Sequence, residues 1–303
     1  MRRSRIAALG RGIAVALLAG SAAPVLAWNN QGHMATGAIA YDALSRDDPA
    51  AITQVLTLMR SHPDHVRFDA ALGALTGADR DRRLFELMAR WPDDIRGTGY
   101  DRPDWHYAVK VVSGWTILRP LTFGKAVEVF DRQLAVARDP TAAAGLRALA
   151  LCWVFHIAGD MHQPLHAGHR ASWRFPQTDR AGSIGWVRTA PGAKPVALHQ
   201  FWDSAADLPG PETPAAEALA LRAERAVGSA AAPAGGSASS RFAAVVEQSR
   251  DLAASRAYRD AALDEAADAN SGPVLSSSYQ LDARRIAERR IGEAGLDIAS
   301  LLR

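Results

Sequence analysis

The sequence predicts an all-α, single-domain fold, and three observations carry that expectation. Apolar residues recur at three- and four-residue intervals through most of the chain beyond residue 28, whereas strand-like runs are few. Gly and Pro collect between those periodic stretches, above all in residues 171–196 and 228–240. Residues 148–160 are apolar almost throughout, as in a helix enclosed on every side.

Residues 1–27 read as a secretory signal peptide. Arg2, Arg3, Arg5 and Arg11 precede an apolar run at 13–19, and Val25-Leu26-Ala27 supplies small residues for cleavage. That run is too short to span a bilayer, and no later stretch qualifies. The expected product starts at Trp28, is periplasmic or secreted, and touches no membrane after cleavage. Removing the segment takes away four arginines and no acid, so a formal charge of +3 becomes −1. A broad electrostatic footprint for nucleic acid is thereby excluded, and any phosphate must be held locally. Arginine far outnumbers lysine, which reads as compositional bias rather than a binding patch. The lone cysteine, Cys152, rules out an intramolecular disulfide and is expected in the core.

Helices are expected over residues 29–44, 49–60, 79–91, 123–137 and 141–160. Residues 171–196 form a long loop with a short hairpin near 186–188. Helix resumes at 198–204, 214–227, 241–267 and 276–302, with a mobile low-complexity linker at 228–240.

His156 and Asp160 lie four residues apart, so they leave the buried helix on one face. An ionisable pair there is costly unless compensated, either by hydrogen bonding within the core or by a metal. Pro164 ends or kinks the helix and leaves His166 and His169 on a turn. His199 and Asp203 repeat the four-residue interval. Trp-Pro-Asp-Asp-Ile-Arg at 91–96 sets a carboxylate and an arginine after a helix, and Asp-Trp-His-Tyr follows at 104–107. Among the nine histidines, His33, His106, His156, His166 and His199 have contexts suited to metal, and two His/Asp pairs weigh against a merely structural role. His62 and His65 read as solvated residues of a polar turn, and His162 and His169 as supporting or surface residues.

These motifs resemble those of the zinc-dependent S1/P1 nucleases, a family related to zinc phospholipase C. The match comprises Trp28 with His33, residues 91–96, Trp-His-Tyr at 105–107, His-Ile-Ala-Gly-Asp-Met-His-Gln-Pro-Leu-His at 156–166, and Leu-His-Gln-Phe-Trp-Asp at 198–203. They occur in family order over most of residues 28–205. The resemblance implies a multi-helix phospholipase C/P1 nuclease-like fold spanning 28–303 and three Zn2+ per chain. One zinc would be held by Asp93, His106, His156 and Asp160. A second would take the α-amine and carbonyl of Trp28 with His33, sharing Asp160. The third would take His166, His199 and Asp203. A free α-amine at Trp28 requires cleavage after Ala27. The resemblance further makes Asp93 and Arg96 catalytic and Tyr107 the surface on which a base stacks.

The activity it implies is hydrolysis of single-stranded DNA, RNA and 3′-nucleotides to 5′-phosphate products, by a monomer with no stable protein partner. The alternatives are a phospholipase-C-like lipid phosphodiesterase, against which Asp203 stands where that branch has Glu, and an inactive zinc-stabilised helical binding protein. Val109 and Ala197 depart from the family's usual polar residues, residues 181–185 replace its Gly-Gly-Asn approach, and its disulfides are missing.

Overall fold

The computed structural model describes residues 28–228 and 235–303. The expected signal segment and residues 229–234 of the expected linker lie outside the described residues. The chain enters through α1 (Asn30–Asp47), α2 (Pro49–Met59), α3 (His65–Leu72) and α4 (Gly77–Asp94). A short strand β1 (Lys110–Ser113) leads to α5 (Ala126–Arg138) and α6 (Ala144–Asp160). Then come β2 (Gly168–Arg170), β3 (Trp186–Val187), β4 (Val196–Ala197) and α7 (Leu198–Asp203). The chain finishes with α8 (Glu212–Val227), α9 (Ala238–Leu252) and α10 (Ser277–Leu302). The fold is all-α: β1 and β2 make one parallel pair, and β3 and β4 the antiparallel hairpin expected near 186–188. Among the described residues no helix is long and apolar enough to cross a membrane.

Helix α6 is the axis of the molecule. From Ala150 to Asp160 every residue is buried, so this part of the helix has no solvent face, and α4, α5 and α10 pack on it. Trp153 and Phe155 anchor it against Phe85, Met88 and Trp91 of α4. Each such side chain contributes about 1.5–3 kcal/mol on burial. On the far side Phe130 of α5 stacks face to face with Phe242 of α9 at 3.7 Å. Helix α1 packs against α4, α8 and α10, which brings His33 beside α4. That approach depends on Gly37, where a Cβ would lie 2.3 Å from the Phe85 carbonyl oxygen. Local chemistry agrees with these limits: Asn29, Asp48, Ser237 and Ser276 cap α1, α2, α9 and α10 through their side-chain oxygens.

Three expectations are corrected. Helix α3 occupies a stretch that gave no helical expectation, and His62 before it is wholly buried, edge-on to Phe68 and Trp91. The helix expected over 241–267 begins earlier, at Ala238, so the end of the expected linker is helical. It also closes early, in a π-helical turn Ala253–Ala257, after which Arg259, Asp260 and Ala261 have φ of 50°, 51° and 74°. Tertiary pairing overrides helix propensity there: Tyr258 is buried and its hydroxyl donates to Asp179 at 2.6 Å.

Candidate metal centre

Four segments deliver the candidate ligands to one buried place. Helix α1 contributes His33, the end of α4 contributes Asp93, the 3-10 turn Pro103–His106 contributes His106, and α6 contributes His156 and Asp160. All five are buried. His33 Nε2 lies 3.3 Å from Asp160 Oδ1 and 3.7 Å from Asp93 Oδ2. On the opposite side, Asp160 Oδ2 is 3.1 Å from His106 Nδ1 and 3.3 Å from His156 Nε2. The two oxygens of Asp160 thus face different histidines. The rings of His33 and His156 stack at 4.0 Å, and His156 Nε2 approaches His106 Nδ1 to 2.9 Å.

Pro164 stops α6 as expected, and the 3-10 turn Pro164–His166 carries His166 away from it. His166 Nε2 meets His199 Nε2 at 3.1 Å, and His199 Nε2 is 3.5 Å from Asp203 Oδ1. Both latter residues lie on α7, one turn apart.

The backbone fixes several of these rings. Nδ1 of His156 donates to the Ala89 carbonyl at 2.8 Å, that of His166 to the His106 carbonyl at 2.6 Å, and that of His199 to the Ala181 carbonyl at 2.6 Å. Each bond leaves an Nε2 lone pair directed at the cluster, the arrangement that orients imidazole ligands. Gln163 donates to Asp203 Oδ1 at 2.6 Å while its own oxygen accepts from the Leu165 amide, joining the His166 turn to α7. Arg250 donates to the carbonyls of Ala108 and Ala167, bracing the segments that follow His106 and His166. Neither Gln163 nor Arg250 stood out in the sequence. Gln163 sits inside the 156–166 motif and could have been suspected; Arg250, on a distant Ala-rich helix, gave no signal.

The cluster is unbalanced as a set of protein groups alone. Burial, reinforced by neighbouring histidines, holds the imidazoles of His33, His106 and His166 well below their ordinary range. Burial also lowers His156, although Asp93 favours its charged form. Burial pushes the Asp160 carboxyl well above its ordinary value, with Asp93 adding to the effect, and raises Asp203 as well. Among the described residues no well-formed hydrogen bond reaches either nitrogen of His33, Nε2 of His106, Oδ2 of Asp93 or Oδ1 of Asp160. Buried polar atoms are ordinarily paired, so five such atoms at one point are a large exception. Divalent cations remove both penalties, because they take neutral imidazole and ionised carboxylate as ligands. Among the described residues three groups could hold a metal ion: His33 with Asp93 and His156, His106 with His156 and Asp160, and His166 with His199 and Asp203. The donor set fits zinc, and all eight side chains expected as ligands lie in these groups, His33 being grouped with Asp93 and His156.

Trp28 is fully buried, and its indole Nε1 donates to the Gly159 carbonyl at 2.9 Å, one residue from Asp160. Arg96 is paired with Asp93, at 3.0 Å through Nε and 2.6 Å through Nη2, whereas Asp94 is taken by Arg90. Burial opposes the Arg96 charge, but Asp93 more than restores it. Tyr107 stacks one face on His166, with centroids 4.6 Å apart, and remains partly exposed. Val109 is buried and paired through its backbone with Phe123. His65 is exposed as expected, and His162 and His169 are buried, bonded to the Ala158 carbonyl and to the Arg170 and Leu121 carbonyls.

A helical protein with metal-ligand side chains converging from α1, α4, α6 and α7 is the class that this fold and site define. The family model for S1/P1 nuclease matches residues 28–303, and the chain belongs to the S1/P1 nuclease family. Members of this family are zinc-dependent, and membership implies a hydrolase acting on nucleic acid. None of the curated proteins matches the chain.

Proposed function

We propose that the chain is an exported phosphodiesterase that binds three zinc ions and cleaves single-stranded DNA, RNA and 3′-nucleotides, leaving 5′-phosphate products. The observation that carries this reading is the convergence of three buried His/Asp groups, around which donor atoms of His33, Asp93, His106 and Asp160 lack well-formed hydrogen bonds among the described residues. Asp93, His106, His156 and Asp160 would hold one zinc, and His33 with the freed amine and carbonyl of Trp28 a second, with Asp160 shared. The opposed oxygens of Asp160 support that sharing. His166, His199 and Asp203 would hold the third. When bound, zinc supplies Lewis acidity and lowers the pKa of water towards neutrality.

The protein's own groups do the positioning. Arg96 is held by Asp93 and partly exposed, so its guanidinium can take a phosphate oxygen while the carboxylate fixes its direction. Asp93 thereby links the metal ligands to the cation that meets the transition-state charge. Tyr107 is steadied from behind by His166 and offers its remaining surface to a base. A splayed base can stack there, whereas a base inside a duplex has both faces occupied, which favours single strands.

The test is metal analysis of the protein starting at Trp28, with hydrolysis of single-stranded DNA, RNA, 3′-AMP and phosphatidylcholine run in parallel. Three zincs with turnover of the nucleic acids and 3′-AMP is the expected result. Full zinc with turnover of phosphatidylcholine alone, or of nothing, would overturn the reading.

A further inference from the structure

Beyond the metal-ligand cluster, the molecule carries an exposed apolar prominence. From β1 towards α5 the chain makes an excursion over residues 111–122 that leaves Trp115 78% and Ile117 85% exposed. Trp173, 82% exposed, belongs to the same prominence. Thr116 donates to the Pro176 carbonyl at 2.8 Å, and the amides of Leu121 and Ala171 donate to the Gln177 and Ser113 carbonyls at 3.1 and 3.0 Å. Isolated exposed apolar residues are ordinary, but two open indoles on one braced prominence mark a contact surface.

Its charge is mainly positive. Residues 105–127 contain Lys110, Arg119 and Lys125 and no Asp or Glu; Lys125 pairs with Asp104 and Arg174 with Asp264, and Lys110 and Arg119 are exposed. The Arg174 guanidinium lies 5.4 Å from the Trp173 ring centre, stiffening that indole. The surface therefore suits an anionic partner with flat apolar groups.

Position decides which anionic partner. The excursion is rooted next to a neighbour of the candidate ligands: Val109 pairs with Phe123, whose ring centre is 6.0 Å from that of Tyr107. Tyr107 in turn stacks on the ligand His166. Ile117 and Leu118 would also suit a lipid surface. A lipid layer there would lie beside the partly exposed Tyr107, across the approach that a strand requires.

We propose that Trp115 and Trp173, with Lys110 and Arg119, form a stacking platform for the nucleotides next to the scissile linkage in single-stranded nucleic acid. The proposal rests on the nuclease reading above and adds a second contact region to it. The test compares wild type with Trp115→Ala, Trp173→Ala and the double variant in two measurements. The first is binding of a phosphorothioate-linked single-stranded oligonucleotide, read by fluorescence anisotropy, which needs no turnover. The second is kcat/KM for an ordinary oligonucleotide beside 3′-AMP, which is too small to reach the platform.

The double variant should bind the oligonucleotide about ten- to a hundredfold more weakly. It should lose a comparable factor in oligonucleotide kcat/KM through KM, with 3′-AMP turnover unchanged. Unchanged oligonucleotide binding overturns the platform. So does an equal loss on both substrates, or anionic-vesicle binding that the substitutions abolish while oligonucleotide kinetics stay the same. A wild type that hydrolyses neither substrate overturns the nuclease reading, while the anisotropy comparison still decides the platform.

Discussion

Asp160 is the residue on which the site turns, because its two oxygens face different histidines from one buried position. Replacing it as Asp160→Asn keeps the shape but halves the oxygen donors and removes the charge. The expected outcome is loss of two zincs per chain with the third retained, measured by elemental analysis of the purified variant. Loss of only one zinc would separate the two sites. His62 offers a test in a different place. Burial lowers its pKa from the ordinary 6.5 to about 4, with Asp64 favouring the charged ring and His65 opposing it. The unfolded chain therefore takes up this proton first on acidification. The stabilisation from the neutral ring is complete above about pH 6.5, declines through that window, and is lost below about pH 4. His62→Asn retains an acceptor for the Asp64 amide, which now bonds His62 Nδ1 at 3.0 Å, and removes the titration. Its urea midpoint should fall less steeply than that of wild type between those limits; parallel slopes would exclude the effect. At this scale the sequence was legible for the ligands, because helical spacing fixes where His156 and Asp160 point. It was not legible for His62, whose polar neighbours concealed the aromatic pocket that Phe68 and Trp91 close around it.

Helices α1 and α4 meet over Gly37, and they also bring His33 and Asp93 together. A methyl group at position 37 would meet backbone of Phe85 and Glu86, which cannot swing aside as a side chain can. Gly37→Ala should destabilise the protein by about 1–3 kcal/mol. It should also weaken zinc binding at His33 more than at the His166 group, because only the first spans this contact. Thermal denaturation together with zinc titration would show it; a stability loss with evenly preserved affinities would confine Gly37 to packing. Elements with strong periodicity were readable within a few residues, α6 and α10 among them. Helix α3 is eight residues long and charged, with Phe68 and Leu72 as its buried contacts, so its pattern was too short to stand out. The early closure of α9 was invisible for another reason. Nothing in its alanine-rich sequence breaks a helix, and the turn is imposed by Tyr258 reaching Asp179 across the molecule.

For the whole molecule, the decisive event in the proposed reading would be the freeing of Trp28. Its indole already sits on Gly159, beside Asp160, so a free amine there would arise close to the ligands. A protein that retains residues 1–27 should carry one zinc fewer and lack full activity, and proteolytic removal of the segment should restore both. Mass spectrometry with zinc analysis reads the two states, and a full zinc complement in the uncut form would refute the dependence. The family match over residues 28–303 was legible because the motifs run in order from Trp28 to Asp203. The contribution of α8, α9 and α10 was less so, since they supply scaffold to the cluster rather than ligands.

The absence of disulfides acquires a meaning from the cluster's reach. Cys152 is the lone cysteine, yet the His/Asp groups bring positions 33, 93, 106, 156 and 160 together and position 166 to positions 199 and 203. Cations at those crossings would close loops as cystine bridges do, but through bonds that exchange with the medium. The cross-linking of such a fold would follow the zinc supply around it rather than the redox poise, and a chelator would act on it as a reductant acts on a disulfide-bonded protein.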